Sequence, residues 1–285
     1  MEKLKVAFLD FWPEINDENI FLPILQKHFD VEVTKNNPDI VIHSIFNRMQ
    51  ETPKYNCKKI LFLGENYRPS QFPTNYSISF DPHSETNFRL PLWQLYLIFN
   101  PLLKDKLFNK IKHNIFNEFF SFTVSNGGNV IRNGFYYYLT QYKKVRSYGK
   151  IKTNDLSLQR ESQGKYWRDA KDAFFIKNTH KFSIVFENNS YPYYTTEKLM
   201  DAFLAGSIPI YWGDPKVNED WNSNAFINVG KIGTENAIQL IKEMDNNDGK
   251  FAKMYNEPVF TKEQKNNLEY NINRFEDWLI EIIKK

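Results

Sequence analysis

The sequence predicts an α/β protein with two domains, and three observations support that fold class. Residues 181–215 run from an apolar stretch through a polar loop and a helical pattern to a second apolar stretch, which describes a strand–helix–strand unit. Short apolar runs of the buried-strand type also recur in the first third of the chain, separated by helical patterns. With 285 residues, 41% of them hydrophobic, the chain can form two packed cores.

The net charge and the cysteine content of the chain bear on its partners and on its cellular compartment. The net charge of +3 is too small to indicate a nucleic-acid partner. The single cysteine, Cys57, cannot form a disulfide within the chain and is typical of a reducing compartment. Residues 1–10 carry several charged side chains around a short apolar run, which predicts a first strand rather than a signal peptide. We therefore expect a cytoplasmic protein.

The sequence contains no apolar run long enough to span a membrane. Its final segment, residues 262–285, places Leu268, Ile272, Phe275 and Leu279 on one helical face. Such a stripe usually packs on the protein's own core, although it could instead lie on a membrane surface. Peripheral contact at the inner membrane therefore stays open as an alternative.

In the first half, residues 4–9 form the apolar run expected of a buried strand that opens an α/β domain. Phe11 and Trp12 follow at its carboxyl end, where an aromatic pair could stack on a sugar ring, although packing on the protein itself is the simpler role. The same patterns predict strands at 31–33, 39–43, 59–63 and 76–80 and helices at 20–29, 92–99 and 105–117. The first domain is expected to comprise residues 1–117.

The second domain is expected to comprise residues 118–285. A strand at 119–124, a Gly-containing turn and a helix at 130–141 open it, and the terminal helix could pack back on the first domain. Residues 155–163 are polar and predict a surface loop, whereas residues 145–150 have no clear pattern. The remaining predicted elements are a strand at 225–229 and helices at 169–178, 235–244 and 262–285.

The strand–helix–strand unit at 181–215 is the most informative part of the chain. Residues 182–186 predict a buried strand, and residues 207–212 predict a second strand. Between them, a helix is expected from residue 196, with Thr195 or Thr196 as its cap. Such units normally make two parallel strands with a right-handed crossover, and ligands bind at the carboxyl ends of the strands.

The loop and helix start of this unit carry side chains suited to a nucleotide-sugar. A helix N-terminus and the ammonium of Lys198 would attract a diphosphate, and the Glu197 carboxylate could accept hydrogen bonds from ribose hydroxyls. Glu187, Asn188 and Tyr194 lie on the preceding loop. Taken alone, the pattern fits equally well an ordinary surface helix with a solvated lysine.

This stretch resembles the signature of the α1,3-fucosyltransferase family. The matching residues are Phe186-Glu187-Asn188, Tyr194 with Thr195 to Lys198, and residues 208–213. The resemblance implies two Rossmann-like domains facing across a cleft, the GT-B glycosyltransferase arrangement, with the acceptor on the first domain and the donor on the second. It implies transfer of L-fucose from GDP-fucose, with inversion, to the 3-hydroxyl of N-acetylglucosamine in a lactosamine-type oligosaccharide.

Two shorter segments are also similar to the family. Gly64-Glu65-Asn66 follows the predicted strand at 59–63, and the resemblance implies that Glu65 is the general base. Residues 125–136 resemble the segment whose arginine contacts the donor diphosphate, which implies that role for Arg132. From the residues alone, each of the two could be an ordinary surface charge.

The expected mechanism assigns a role to each candidate residue. Glu65 takes the proton from the acceptor hydroxyl, which attacks the anomeric carbon from the face opposite GDP. Lys198, Arg132 and Tyr194 hold the departing diphosphate, and Glu197 holds the ribose.

Two further residues complete the expected donor site. Asn188 and Glu187 lie near the donor sugar, where a carboxylate would favour the positive charge that develops on the ring, although Glu187 could equally be structural.

The sequence has no Asp-x-Asp pair, and its five histidines are scattered without metal-ligand spacing. We therefore expect no metal site and no required cofactor, although a divalent metal could stimulate the reaction. The absence of G-x-G-x-x-G and G-x-x-x-x-G-K motifs disfavours a dinucleotide dehydrogenase and a P-loop ATPase. Two alternatives stay open: a related transferase that uses another hydroxyl or GDP-sugar, and a catalytically silent carbohydrate-binding protein.

Overall fold

A computed structural model describes residues 1–11 and 21–285, which form two compact α/β units. Met1–Phe99 together with Asn266–Lys285 make the first unit, and Asn100–Lys265 make the second. The predicted fold class is confirmed, since each unit is built on a parallel sheet. The boundary lies earlier than the predicted one after residue 117, because the helix that follows Asn100 packs within the second unit.

The elements are numbered here in chain order. The strands are β1 (Glu2–Leu9), β2 (Phe29–Val33), β3 (Ile40–His43), β4 (Lys58–Phe62), β5 (Tyr76–Ser79), β6 (Asn87–Arg89), β7 (Glu118–Phe122), β8 (Val145–Ser147), β9 (His180–Phe186), β10 (Ile208–Trp212) and β11 (Ile227–Asn228). The α-helices are α1 (Leu22–Leu25), α2 (Leu92–Phe99), α3 (Pro101–Phe108), α4 (Val130–Thr140), α5 (Ser157–Glu161), α6 (Trp167–Lys177), α7 (Lys198–Leu204), α8 (Val229–Ile232), α9 (Thr234–Asp245), α10 (Asp248–Asn256) and α11 (Lys262–Lys284).

The first unit has a six-stranded parallel sheet in the order β2-β1-β3-β4-β5-β6. Its core contains Ile60 and Phe62 from β4, which are fully buried. The C-terminal part of α11 completes this core with Phe275 and Leu279. The apolar stripe of the terminal helix is therefore covered by the protein itself. None of the helices in the described part of the chain is long and apolar enough to cross a membrane.

The second unit has a five-stranded parallel sheet in the order β11-β10-β9-β7-β8. The predicted strand–helix–strand unit is confirmed, because β9 and β10 pair in parallel and Phe186 lies opposite Trp212. The connection from β7 leads outward to β8, whereas the connection from β9 leads the other way, to β10 and β11. The strand order therefore reverses between β7 and β9, which makes this the switch point of the sheet.

Two sequence predictions of local structure are wrong. The helix predicted at 105–117 is α3, which starts earlier because Pro101 suits a first helical turn, and it ends at Phe108. The chain that follows is tied to α10 instead, since the ammonium of Lys110 donates to the carbonyl of Tyr255 at 2.8 Å. The loop predicted at 155–163 contains α5, whose start is held by the Asp155 carboxylate and whose Leu158 is buried.

Other elements are shorter than predicted or were not predicted. The helix expected at 20–29 is reduced to α1 because Phe29 already pairs with Glu2 in the sheet; Ile20 lies outside the described residues. The three-residue strands β6 and β8 and the helix α10 were not predicted from the sequence.

His180, at the start of β9, is a buried titratable group in the second unit. Its Nε2 and the hydroxyl of Tyr148 share a hydrogen bond of 2.9 Å, and only 1% of the residue is exposed. Burial lowers the pKa of His180 to about 4. Because the folded pKa lies below the unfolded value, the stability contributed by neutral His180 is lost as the pH falls from about 6.5 toward 4.

We expect acid to destabilise the protein through this residue. Between pH 7 and pH 5, His180 should remove about 2 kcal/mol from the free energy of unfolding, since the unfolded state binds the proton more readily. Urea unfolding at the two pH values measures the loss. His180→Gln, which can keep the hydrogen bond with Tyr148 but does not titrate, should lose less; an equal loss would show that other groups carry the acid sensitivity.

Candidate functional site

The switch point of the second sheet places two loops side by side at the carboxyl ends of β7 and β9. In open α/β sheets this is where ligands bind. A small open cavity lies next to it, between the sheet and helices α6 and α7. Ser121 and Thr123 from the β7 side, Ser183 from β9 and Lys198 from α7 contribute polar groups to its wall. The predicted loop at 187–195 thus lies where the topology predicts a ligand.

Arg132 is positioned by the first turn of α4. The side chain of Asn129 caps this helix by accepting a hydrogen bond from the backbone N–H of Arg132 at 2.9 Å. The guanidinium is fully buried and donates to the carbonyl of Phe186 at 3.3 Å and to Asn188 Oδ1 at 3.1 Å. It also donates to the carbonyl of Asn126.

The surroundings of this guanidinium are unusual for a buried arginine. All three of these partners are neutral oxygens, and Nε has no hydrogen-bond partner among the described residues. Burial lowers the pKa of Arg132, against the opposite influence of Glu187 and then Tyr194. A phosphate oxygen that displaced one of the neutral oxygens would give the guanidinium a charged partner and stronger hydrogen bonds.

Glu187 is fully buried at the end of β9, and its carboxylate holds the next part of the loop. It accepts hydrogen bonds from the backbone N–H of Thr196 at 2.7 Å, from Thr196 Oγ1 at 2.8 Å and from Lys198 Nζ at 2.9 Å. Burial raises the pKa of Glu187, and the nearby Lys198 ammonium opposes that shift. The sequence analysis placed Glu187 beside the donor sugar; the structure instead commits its carboxylate to Thr196 and Lys198.

The start of α7 differs from the prediction. The helix begins at Lys198, so that Glu197 occupies the capping position, and neither Thr195 nor Thr196 is the cap. The backbone N–H of Thr196 is used by Glu187 instead. Because α7 has only 7 residues, its dipole adds little, and the positive charge at this point comes from Lys198. The Glu197 and Lys198 side chains are both half-buried.

The other candidate residues divide between the two units. Asn188 and Tyr194 lie with Arg132 in the second unit, with Asn188 half-buried and Tyr194 fully buried. Glu65 lies in the first unit, half-buried on the loop that follows β4. This loop is held by Arg68, whose guanidinium makes an ion pair with Asp81 at 2.5 Å. The structure thus brings together six of the seven candidates.

Of the two aromatic residues after β1, Phe11 belongs to the described part of the chain. Phe11 stacks on Phe62 with the ring centroids 6.3 Å apart, which fits packing on the protein itself. Trp12 lies outside the described residues. Among the residues that are described, no cluster of three or more His, Cys, Asp or Glu side chains could hold a metal ion.

Two residues of this region were not singled out in the sequence. Asn129 caps α4 and also donates to the carbonyl of Glu187 at 3.0 Å, a role that its place before a helical pattern could have indicated. Asp214 lies just after β10, and its carboxylate is buried against the loop after β9. No local sequence pattern indicates this contact.

Two protein-family models match the chain. The model for the N-terminal domain of α-(1,3)-fucosyltransferase FucT matches residues 6–96. The model for the C-terminal region of glycosyltransferase family 10 (fucosyltransferase) matches residues 117–272, which include all six candidates of the second unit. The matched segments leave few residues between them.

Individual relatives agree with the family models. An α-(1,3)-fucosyltransferase FucT of Helicobacter pylori is 26% identical over 90% of this chain, which spans 61% of that protein's length. A human 4-galactosyl-N-acetylglucosaminide 3-α-L-fucosyltransferase 9 is 30% identical over 41% of this chain and 33% of its own length. The crystal structure of an α1,3-fucosyltransferase with GDP-fucose superposes with a TM-score of 0.72 and 24% identity, covering 98% of this chain and 91% of the other.

Proposed function

Since this chain belongs to glycosyltransferase family 10, the fucosyltransferases, we propose that it moves L-fucose from GDP-fucose to a sugar hydroxyl. The acceptor we propose is the 3-hydroxyl of N-acetylglucosamine in a lactosamine-type oligosaccharide. The observation that carries the donor half of the proposal is the pair of cations at the switch point of the second sheet. Among the described residues the buried Arg132 guanidinium donates to neutral oxygens, and Lys198, which donates to Glu187, lines the cavity.

These two cations suit the diphosphate of a nucleotide-sugar. As the bond to fucose breaks, negative charge accumulates on the diphosphate, and fixed cations stabilise it without reorganising. Arg132 supplies a fork of N–H donors and Lys198 a point charge, which together can contact oxygens of both phosphates. We propose that GDP binds here with Tyr194 near the diphosphate, Glu197 on the ribose and Asn188 near the fucose. A solved relative of the same fold was crystallised with GDP-fucose, which supports this choice of donor.

The acceptor half of the proposal rests on the first unit. We propose that Glu65 accepts the proton of the acceptor hydroxyl while that oxygen attacks the anomeric carbon of fucose from the face opposite GDP. A single displacement of this kind inverts the configuration at that carbon. Glu65 follows β4 at the carboxyl end of a parallel sheet and is half-buried, which favours a partly desolvated base. The named human relative acts on a galactosyl-N-acetylglucosaminide, which makes lactosamine the first acceptor to test.

Because Arg132 and Lys198 can stabilise the leaving group, we propose that no divalent metal or other cofactor is required, although a metal could stimulate transfer. The charge on Glu187 offsets part of the positive charge of Arg132 and Lys198. Within this proposal Glu187 supports Lys198 and does not contact the fucose.

The proposal predicts transfer of fucose from GDP-fucose to N-acetyllactosamine in a purified assay, with at least a tenth of the rate surviving excess EDTA. Linkage analysis of the product should show fucose on the 3-hydroxyl of N-acetylglucosamine. Loss of transfer in EDTA would be compatible with the family assignment but would contradict the proposal that the leaving group departs without a metal. Preference for GDP-mannose as donor, or transfer of fucose to another hydroxyl, would show that the chain catalyses a related reaction and not the one proposed. Binding of GDP-fucose without any turnover on a panel of acceptors would favour a silent carbohydrate-binding protein.

A further inference from the structure

The loop between β9 and α7 is held from two sides by buried carboxylates. Glu187 fixes its last residues, as described above. Asp214, which follows β10, fixes its middle and is only 2% exposed. The turn that carries Asp214 packs directly on Glu187, since a Cβ at Gly213 would lie 2.5 Å from Glu187 Cγ. Both carboxylates therefore belong to one arrangement that sets the path of residues 187–198.

Asp214 makes hydrogen bonds with both of its oxygens. Oδ1 accepts from the backbone N–H of Tyr193 at 2.7 Å and from the backbone N–H of Lys216 at 2.7 Å. Oδ2 accepts from Thr195 Oγ1 at 3.0 Å. The backbone N–H of Asp214 in turn donates to the hydroxyl of Tyr211 at 2.9 Å. The carboxylate thus contacts the residues immediately before and after Tyr194.

Tyr193 has an unfavourable backbone conformation that needs such support. Its φ is +70°, in the left-handed region that side chains with a Cβ rarely adopt. Residues in such conformations persist where surrounding contacts hold them, and they cluster at ligand sites. Here the hydrogen bond from Tyr193 to Asp214 is a contact that fixes the backbone at this point.

A charged carboxylate is a costly way to hold a loop in the interior. Burial raises the pKa of Asp214 to about 6, against the backbone N–H groups of Lys216 and Tyr193 and the Thr195 hydroxyl. No basic side chain of the described residues makes an ion pair with it within 4 Å. The carboxylate accepts three hydrogen bonds at once and so ties the strained loop to the turn after β10.

We propose that Asp214 is a positioning residue for the nucleotide-sugar donor: it holds Tyr193 and Thr195 so that Tyr194 and Lys198 are placed to meet the diphosphate. This inference rests on the proposed function and adds to it a residue that never touches the donor. Removing the carboxylate should let the loop relax away from the left-handed conformation at Tyr193. The donor should then bind more weakly, while the acceptor, which we assign to the first unit, should bind as before.

Four variants test the proposal, with binding of GDP-fucose and GDP measured by calorimetry. Asp214→Ala should weaken both ligands about 10–100-fold and raise the donor KM accordingly, with the acceptor KM unchanged within about 3-fold. Asp214→Asn should bind within about 3-fold of the wild type, because its amide oxygen can accept from the same two backbone N–H groups and its NH₂ can donate to Thr195. Tyr193→Gly should bind like the wild type.

The decisive variant is the double change Asp214→Ala with Tyr193→Gly. Glycine adopts φ near +70° without steric cost, so the loop should keep its path without the Asp214 carboxylate. The double variant should therefore bind the donor at least about 3-fold more tightly than Asp214→Ala does. A merely structural loss at Asp214 would not be relieved by glycine at Tyr193. Thermal unfolding of each variant shows that the chain is folded, and Thr195→Val replaces Asp214→Ala if the latter does not fold.

Ser190→Ala is the matched control, because Ser190 Oγ donates to the carbonyl of Gly213 at 2.6 Å and ties the same turn to the loop without contacting Asp214. It should change donor affinity less than about 3-fold. Donor binding by Asp214→Ala at wild-type strength, an Asp214→Asn variant as weak as Asp214→Ala, or no rescue by Tyr193→Gly would each overturn the inference alone. A wild-type chain that binds no GDP-fucose would overturn the proposed function and this inference with it.

Discussion

Replacement of Glu65 by glutamine should lower kcat for fucosyl transfer about 10²–10⁴-fold, the range expected when a general base is removed. Glutamine has the size and shape of glutamate but cannot take the acceptor proton, so the loss falls on the chemical step. Binding of GDP-fucose should stay within about 3-fold of the wild type, since the proposed donor residues all lie in the second unit. Initial rates at saturating substrates, together with calorimetry of the donor, measure the two effects separately.

The control for this variant is Glu85→Gln, an exposed carboxylate of the same unit whose removal should leave kcat within about 2-fold. A loss that affected both variants equally would point to reduced stability rather than to the base. Turnover of Glu65→Gln near the wild-type rate would remove Glu65 from the chemistry and require another proton acceptor.

The second large effect is expected at Arg132. Lysine at this position keeps the positive charge but replaces the fork of N–H donors by a single ammonium, which cannot reach several oxygens in one plane. We expect kcat/KM for GDP-fucose to fall about 10²–10³-fold, because the lost contacts stabilise a diphosphate whose charge grows in the transition state. The buried site also loses the donors to Phe186 and Asn126, so thermal unfolding should accompany the kinetics.

Arg274→Lys serves as the control, since Arg274 is exposed on α11 in the first unit. It should leave kcat/KM unchanged within about 2-fold. The decisive comparison is between donor and acceptor: the Arg132→Lys variant should affect the donor KM or kcat and leave the acceptor KM alone. An unchanged kcat/KM in a folded Arg132→Lys variant would contradict the assignment of Arg132 to the diphosphate.

The elements that the sequence predicted well are those with long and regular patterns. The parallel pair of β9 and β10 follows from two β-branched runs on either side of an amphipathic helix, and α2 follows from eight residues bounded by Pro91. Most of the elements that it missed, among them β6, β8 and α5, are short. Five residues of α5 carry too little periodicity to distinguish a helix from a polar loop, and the end of α3 is decided by contacts of Lys110 with α10.

The candidate site also has features that the sequence indicates and features that it does not. Its residues were identifiable because side-chain types and spacing are local properties of the loop after β9. Their environments were not, because burial of Arg132 depends on carbonyls from β9 and from the loop after β7. The contact between Asp214 and Tyr193 likewise joins two loops that only the parallel pairing of β9 and β10 brings together. The sequence therefore indicates candidate residues for the site but not the contacts that support them.

The carboxylate of Glu187, which accepts from Lys198 and acts electrostatically on Arg132, bears on how tightly the proposed site would hold GDP. A site with two uncompensated cations would hold the departing GDP strongly, and release of product often limits turnover. The Glu187 carboxylate is fully buried and accepts a hydrogen bond from Lys198. We expect its negative charge to weaken the attraction of the proposed site for GDP, and inhibition by added GDP measures this effect. We therefore expect the residue that orders Lys198 also to shorten the time for which the product remains bound.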